Sequence, residues 1–370
     1  MTRSVKTFRF AAVSAVKHAY VPEAVARHPR FDIVVVTDDA DSPSWVHERN
    51  EKFAEQQGVP YVMGVEKAIE AFTPEVAVIS SEAERHCDLG VRAANAGLHI
   101  VVDKPLSPSL DECNRLLDAV KNNNVKSLVW NRNFLPAVLQ AKQVVESGEL
   151  GDLVAAHCDF YFAKDAGPPK GTSLPAPINW LERQQDAHSD GSDGGVGIRA
   201  LGELEIEGLY PLAYLRMLTN APIRRVFART ATHFHQANVD NEVDDLATVT
   251  LEMDRGITGS LCIGRIGAAS HPEIGEIKLH LLGTKGGIVI SEPRPEVGFY
   301  YKGQSKQDYN NYRVANDNDY LLGDDFANAI DNNADTILDV EGGRDICAVV
   351  QAAIRSGRSN QAEEVTTKST

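Results

Sequence analysis

A lysine between an acid and a proline, Asp103-Lys104-Pro105, closes the apolar run His99-Ile100-Val101-Val102. If that run is a strand of an open parallel sheet, its carboxyl end borders the ligand crevice and Lys104 projects into it. Pro105, with its φ fixed, stiffens the turn that carries the lysine. A second chemically useful pair is Glu207 and Tyr210. Pro211 lacks an amide proton and belongs in the first turn of a helix starting near Gly208, which puts Glu207 and Tyr210 at the helix mouth. A tyrosine and a carboxylate beside Lys104 would form a proton-transfer set for oxidising an alcohol. The plainer alternative is a core aromatic next to a first-turn acid favoured by the helix dipole.

The elements that must hold Lys104 are legible in the first 130 residues. Apolar strands are predicted at 8–13, 31–36, 60–62, 76–79, 99–102 and 127–130, with helices between them at 22–27, 45–57, 65–72, 85–96 and 111–122. Ser109 caps the last of these, with Glu112 three residues on to complete a capping box. Strands alternating with helices over short links imply a Rossmann-type parallel sheet.

At the switch point of such a sheet the first turn normally carries G-x-G-x-x-G, so that backbone can approach a pyrophosphate at the helix N-terminus. Here the turn reads Ser14-Ala15-Val16-Lys17-His18-Ala19. Ser14 and Ala19 are small, but the branched Cβ of Val16 stands where pyrophosphate would meet backbone. Two readings stay open: a looser dinucleotide site with charge supplied by Lys17 or His18, or a turn that no longer binds one. The second strand ends Thr37-Asp38-Asp39, and a carboxylate there accepts hydrogen bonds from an adenosine ribose. Two acids with no arginine beside them would repel a 2′-phosphate, which favours NAD over NADP.

The chain of 370 residues exceeds the usual span of one core, which predicts two domains. They divide at 1–130, a dinucleotide-binding domain, and 131–360, an α+β domain for substrate and oligomerisation, with a polar tail at 361–370. Strands predicted at 154–162, 224–232, 246–253, 257–263, 276–282, 287–291 and 298–301 have short turns suited to a large, mostly antiparallel sheet. Helices at 134–147, 320–333 and 342–356 complete the second domain. The Gly/Pro/Asp-rich stretch 163–202 reads as either a substrate-covering loop or a surface insertion. His233 and His235 alternate in a strand and read as surface residues, so no metal site is expected. A net charge of −15 without a long basic run argues against nucleic acid and anionic membranes. Five scattered cysteines suit reduced thiols in a cytoplasmic protein, and neither a signal peptide nor a membrane span is expected.

In this order and spacing the motifs resemble the Gfo/Idh/MocA oxidoreductases over essentially the whole chain. The matching pieces are Ile79-Ser80-Ser81 with His86, Ala96 to Leu106 around Asp103-Lys104-Pro105, Asn131-Arg132-Asn133-Phe134, Ser147 to Gly151, Gly208-Leu209-Tyr210 and Asp339 to Gly343. The resemblance implies NAD(P)-dependent chemistry on a sugar, inositol or polyol, and a homo-oligomer. It assigns catalysis to Lys104 and Tyr210, with Glu207 a substitute for a missing aspartate. The cofactor would meet Ser14, Val16, His18, Asp38, Ser80, Ser81, His86, Asp103, Lys104, Pro105 and Arg132. The family aspartate falls at Ile206, which cannot transfer a proton, and a shift of one residue turns a helical side chain by about 100°. Alternative outcomes are glycoside cleavage or elimination with tightly held NAD, and a non-catalytic ligand-binding relative.

Overall fold

The computed structural model describes residues 6–162, 200–266, 277–292, 296–301, 308–311 and 318–366. The stretch 163–202 therefore lies almost wholly outside the described residues. The chain forms two compact units. Among the described residues, one comprises 6–134 and 318–347, and the other the remainder. The segment 318–347, expected in the second domain, is thus grouped with the first.

The first unit is a parallel sheet of six strands in the order β3-β2-β1-β4-β5-β6. They are β1 (Phe8–Val13), β2 (Phe31–Asp38), β3 (Tyr61–Met63), β4 (Val76–Ile79), β5 (His99–Val102) and β6 (Ser127–Val129). Every pairing is parallel. The helices between strands are α1 (Tyr20–Arg27), α2 (Ser44–Gln57), α3 (Val65–Phe72), α4 (His86–Asn95) and α5 (Leu110–Asn122). β4 is buried at every position, which explains why it reads as an unbroken apolar run rather than an alternating one. α2 ends where Gly58 turns left-handed at φ 69° and its N–H bonds back to Ala54 and Glu55 carbonyls. Ser109 caps α5 by accepting from the Glu112 N–H. The Glu112 carboxylate turns to Arg115 instead, so half of the expected capping box forms. The strand order reverses between β1 and β4, and the crevice opens at their carboxyl ends.

α10 (Asn318–Asn332) packs beside α1, and its Leu322, Phe326 and Ala327 join the core formed by Phe8, Phe10, Phe31 and Phe53. The Phe326 ring stacks on Phe31 with centroids 6.0 Å apart. Without this segment, the apolar face of β1 and β2 would be left in water.

The second unit is built on nine strands in the order β14-β13-β12-β11-β7-β10-β9-β8-β15. They are β7 (Leu153–Phe162), β8 (Ile223–Ala231), β9 (Leu246–Met253), β10 (Thr258–Arg265), β11 (Ile277–Gly283), β12 (Gly286–Glu292), β13 (Glu296–Tyr301), β14 (Asp308–Asn311) and β15 (Glu363–Glu364). Pairing is antiparallel except between β7 and β10. Burial alternates along β9, so one sheet face is covered and the other exposed. Among the described residues the helices of this unit are α6 (Pro136–Glu146), α7 (Glu203–Glu207), α8 (Leu209–Thr219) and α9 (Gln236–Asp240). α11 (Val340–Ser359) contains the boundary between the units. The tail is tied down further than its composition suggests: β15 pairs with β8, and the Val365 N–H donates to the Arg224 carbonyl.

Phe326 tests whether α10 completes the first core. Its truncation to alanine should cost about 3–5 kcal/mol in urea unfolding. A loss below about 1 kcal/mol would show that α10 is peripheral to that core.

Candidate functional site

The turn after β1 is tight despite having no glycine, because Ser14 itself adopts the left-handed conformation at φ 68°. Serine pays a steric cost there that glycine would not. The turn is pinned from several sides. The Ser14 N–H donates to the Thr37 carbonyl at 2.8 Å, and the Ser14 carbonyl accepts from Ser80 N–H at 3.2 Å. The Ala15 N–H donates to Asn50 Oδ1 at 2.8 Å, and Arg49 donates to the Val16 carbonyl at 3.1 Å. Val16 is nearly buried. The Ser14 hydroxyl is buried and has no hydrogen-bond partner among the described residues.

Asp103, fully buried at the end of β5, gathers three turns. Its Oδ2 lies 2.6 Å from His18 Nδ1 in the β1–α1 turn and accepts from the Ser80 hydroxyl after β4 at 3.0 Å. Its Oδ1 accepts the Lys104 N–H at 2.7 Å. Burial pushes this carboxyl up, but His18, with help from His86 and Lys104, outweighs burial and holds it well below the ordinary range. Lys104 is nearly buried, and the Lys104–Pro105 peptide is cis. His86 is buried with Nδ1 2.8 Å from the Pro105 carbonyl and Nε2 2.9 Å from the Ser81 carbonyl. His86, expected to meet a cofactor, thus lies between carbonyls of the lysine turn and the β4–α4 turn; burial lowers its pKa, so the neutral ring donates its one N–H to one of them. Ser81 is also turned inward, its hydroxyl donating to the Glu82 carbonyl at 3.1 Å. Arg132 follows β6, half-buried in a turn fixed by Asn318, which donates to the Asn131 carbonyl and accepts the Phe134 N–H.

At the end of β2 the structure corrects one premise. The local sequence puts no arginine beside Asp38, yet the Arg85 guanidinium is hydrogen-bonded to it. The Ser42 hydroxyl and Asp39 N–H donate to the same Asp38 oxygen at 3.0 and 2.8 Å, and Asn50 donates to the other at 2.9 Å. The carboxylate expected to accept ribose hydroxyls is therefore fully buried and heavily engaged by the chain itself.

In the second unit, Glu203, Glu205 and Glu207 on α7 are all buried, as is Arg265 at the end of β10. Arg265 donates to Glu203 at 2.9 Å and lies 3.5 Å from Glu207. Tyr210 is buried in the first turn of α8, its ring 6.2 Å from that of Phe160, and Ile206 faces the core. The helix starts where Pro211 predicts. Two acids that sequence reading passed over shape the same region. Asp245, fully buried, accepts the consecutive N–H groups of His233, Phe234 and His235. Those histidines therefore lie in a turn around a carboxylate, not in a strand. Asp244 accepts the Leu204 N–H at 3.1 Å and packs against Gly202 so closely that any Cβ there would collide with it. Burial pushes the Asp244 carboxyl up to about 6, against the pull of backbone donors. Among the described residues no cluster of histidine, cysteine, aspartate and glutamate is fit to hold a metal ion. No described helix is long and apolar enough to cross a membrane, and none of the five cysteines forms a disulfide.

Comparison with known proteins agrees with this architecture. Residues 19–130 match the family model described as "Oxidoreductase family, NAD-binding Rossmann fold", and residues 138–289 match the GFO/IDH/MocA C-terminal domain. The chain belongs to the Gfo/Idh/MocA family. It is 25% identical to a levoglucosan dehydrogenase of Pseudarthrobacter phenanthrenivorans over 224 residues, 58% of this chain and 55% of that protein. It is 30% identical to an inositol 2-dehydrogenase of Salmonella paratyphi B over 91 residues, 24% of this chain and 27% of that protein. The matches thus span about half or less of these relatives' lengths. A solved levoglucosan dehydrogenase in complex with NADH superposes with a TM-score of 0.79 at 19% identity, covering 98% of this chain and 100% of that one. That likeness describes the fold.

The Asp244 carboxyl gives a pH signature with a definite sign. Its pKa is raised in the folded chain, so its favourable contribution is complete below about pH 4 and is lost as pH rises through about 6. The neutral isostere Asp244→Asn should therefore gain stability relative to wild type between pH 4 and pH 7, by about 2 kcal/mol. Urea unfolding at the two pH values measures the difference, and a gap independent of pH would refute the raised pKa.

Proposed function

We propose that the chain is an NAD(P)-dependent oxidoreductase, with NAD preferred, that interconverts a CH–OH group and a carbonyl on a sugar, polyol or related small molecule. The observation that carries this reading is the convergence at the sheet's switch point. The lysine turn, the β1–α1 turn and the β4–α4 turn meet on one buried carboxylate, Asp103. The turn after β1 fits a dinucleotide in two respects: Ser14 supplies the left-handed bend usually left to glycine, and its buried hydroxyl has an unused bonding capacity. The relatives named as levoglucosan and inositol dehydrogenases support the class of substrate.

When bound, the nicotinamide would accept or return hydride. The chain's own residues do the rest. Ser14 and the His18 turn would hold the pyrophosphate side, with Asp38 toward the adenosine ribose and Arg132 at the end of β6. Lys104, its backbone fixed by Asp103, would polarise the substrate oxygen and lower the hydroxyl pKa. Tyr210 and Glu207 are the proton-transfer candidates of the second unit, with Arg265 orienting Glu207. Ser80, Ser81 and His86 act through the turns they lock. The proposal includes a homo-oligomer formed through the exposed face of the nine-stranded sheet, and a cytoplasmic location.

Replacing Lys104 with alanine should lower turnover by at least about 100-fold, while NAD affinity measured by calorimetry stays nearly unchanged. Unchanged turnover on a polyol that the wild type oxidises would remove Lys104 from the chemistry. Failure of wild-type protein, stripped of cofactor, to bind NAD or NADP at millimolar concentration would overturn the oxidoreductase reading itself.

A further inference from the structure

Among the described residues of the first unit, two histidines sit against a carboxylate, and they differ in what the ring has left over. His28 is buried; its Nε2 lies 3.2 Å from Asp324 and its Nδ1 accepts the Arg30 N–H at 3.3 Å, so both nitrogens are taken. His18 keeps one in hand. Its Nδ1 lies 2.6 Å from Asp103 Oδ2, its side chain is a quarter exposed, and its Nε2 meets no donor or acceptor among the described residues. The residue is also held in place. Its N–H donates to Ser80 Oγ at 3.2 Å, its carbonyl accepts the Val21 N–H at 2.9 Å, and the Tyr20 ring lies beside the imidazole with centroids 5.4 Å apart.

We propose that His18 is the general base of the reaction, taking the substrate's hydroxyl proton on Nε2 while Asp103 holds the ring, a role that rests on the oxidoreductase reading above. Asp103 is held below the ordinary carboxylate range and is an anion, so it only accepts, and Nδ1 must carry the proton between them. In the neutral ring that leaves the Nε2 lone pair open on the side away from the carboxylate. The buried carboxylate then stabilises the imidazolium that forms, as the acid behind a histidine does in a hydrolytic triad. In oxidation the hydroxyl proton passes to Nε2, the C–H electron pair leaves as hydride to NAD, and the C=O bond forms. The imidazolium afterwards gives its proton to water, and in reduction Nε2 returns a proton to the new alkoxide. Asp103 takes the Lys104 N–H on its other oxygen, so base and lysine share one anchor. Glu207, the carboxylate of the second unit, is buried 3.5 Å from the Arg265 cation, which weakens it as a base.

The test has two parts, and the first needs no turnover. Nitrogen-resolved NMR of the histidine rings in the full chain, free of cofactor, should find neutral His18 protonated on Nδ1 and bare on Nε2, its signals assigned by their loss in His18→Asn. A neutral ring with its proton on Nε2 would overturn the inference, because that nitrogen could accept nothing. The second part is kinetic. His18→Asn keeps an N–H for Asp103 and loses the basic nitrogen, so kcat on a polyol that wild type oxidises should fall at least about 100-fold, with NAD affinity by calorimetry nearly unchanged. If His18→Asn does not fold, His18→Gln carries the same comparison. Unchanged kcat, or a loss confined to NAD affinity as expected of an imidazolium that only faces pyrophosphate, would overturn the role of His18 while leaving the oxidoreductase reading intact. Wild type that binds neither NAD nor NADP overturns both.

Discussion

The first unit depends on a charge placed where water cannot reach it. Asp103 lies at the end of a central strand with no exposure, and an isolated carboxylate there would cost several kcal/mol. It is tolerated because it is almost fully satisfied: His18 and Ser80 share one oxygen, and the Lys104 N–H takes the other. The bonds that offset desolvation also fix geometry. Each partner belongs to a different turn, so one buried acid sets the relative positions of the β1–α1 turn, the β4–α4 turn and the lysine that follows β5. His86 lies between backbone carbonyls from two of those turns and donates to one of them.

The same economy explains how the chain manages without the glycine fingerprint. Glycine normally meets two needs, a left-handed bend and close backbone approach. Ser14 meets the first directly. Asn50 on α2 then braces the bend, receiving the Ala15 N–H and donating to Asp38 and to the Val46 carbonyl. The turn after β1 and the acid after β2 are thereby one connected structure. The price is rigidity: much of the hydrogen-bonding capacity around this crevice is committed to neighbours within the chain.

In the second unit the acids rather than the apolar residues carry the local design. Asp245 gathers three successive N–H groups into a small anion nest, and Asp244 is pressed between Gly202 and the start of α7. Arg265 is drawn inward by Glu203 and Glu207, and its own N–H donates to the Asp245 carbonyl. α7 can bury three glutamates only in such company. Hydrophobic patterning does not report arrangements of this kind.

The division between what was legible in the sequence and what was not follows distance along the chain. Periodicity and turn chemistry act over a few residues, and they were enough to define the strand and helix order, the parallel sheet, the Pro211 helix start and the placement of Lys104 at a strand end. Ser109 was legible as a cap for the same reason. Three features were not. Asp38 meets Arg85 across 47 residues, and His18 meets Asp103 across 85. Phe31 and Phe326 stack from opposite ends of the chain. No local preference encodes such pairs, because the free energy that forms them exists only after the sheet has brought the turns together and excluded water. The sequence by itself determined the order of strands and helices and the turns that close the parallel strands. Only the tertiary structure decided which side chains spend their charge on one another, since burial makes an unpaired charge costly and a nearby partner decisive.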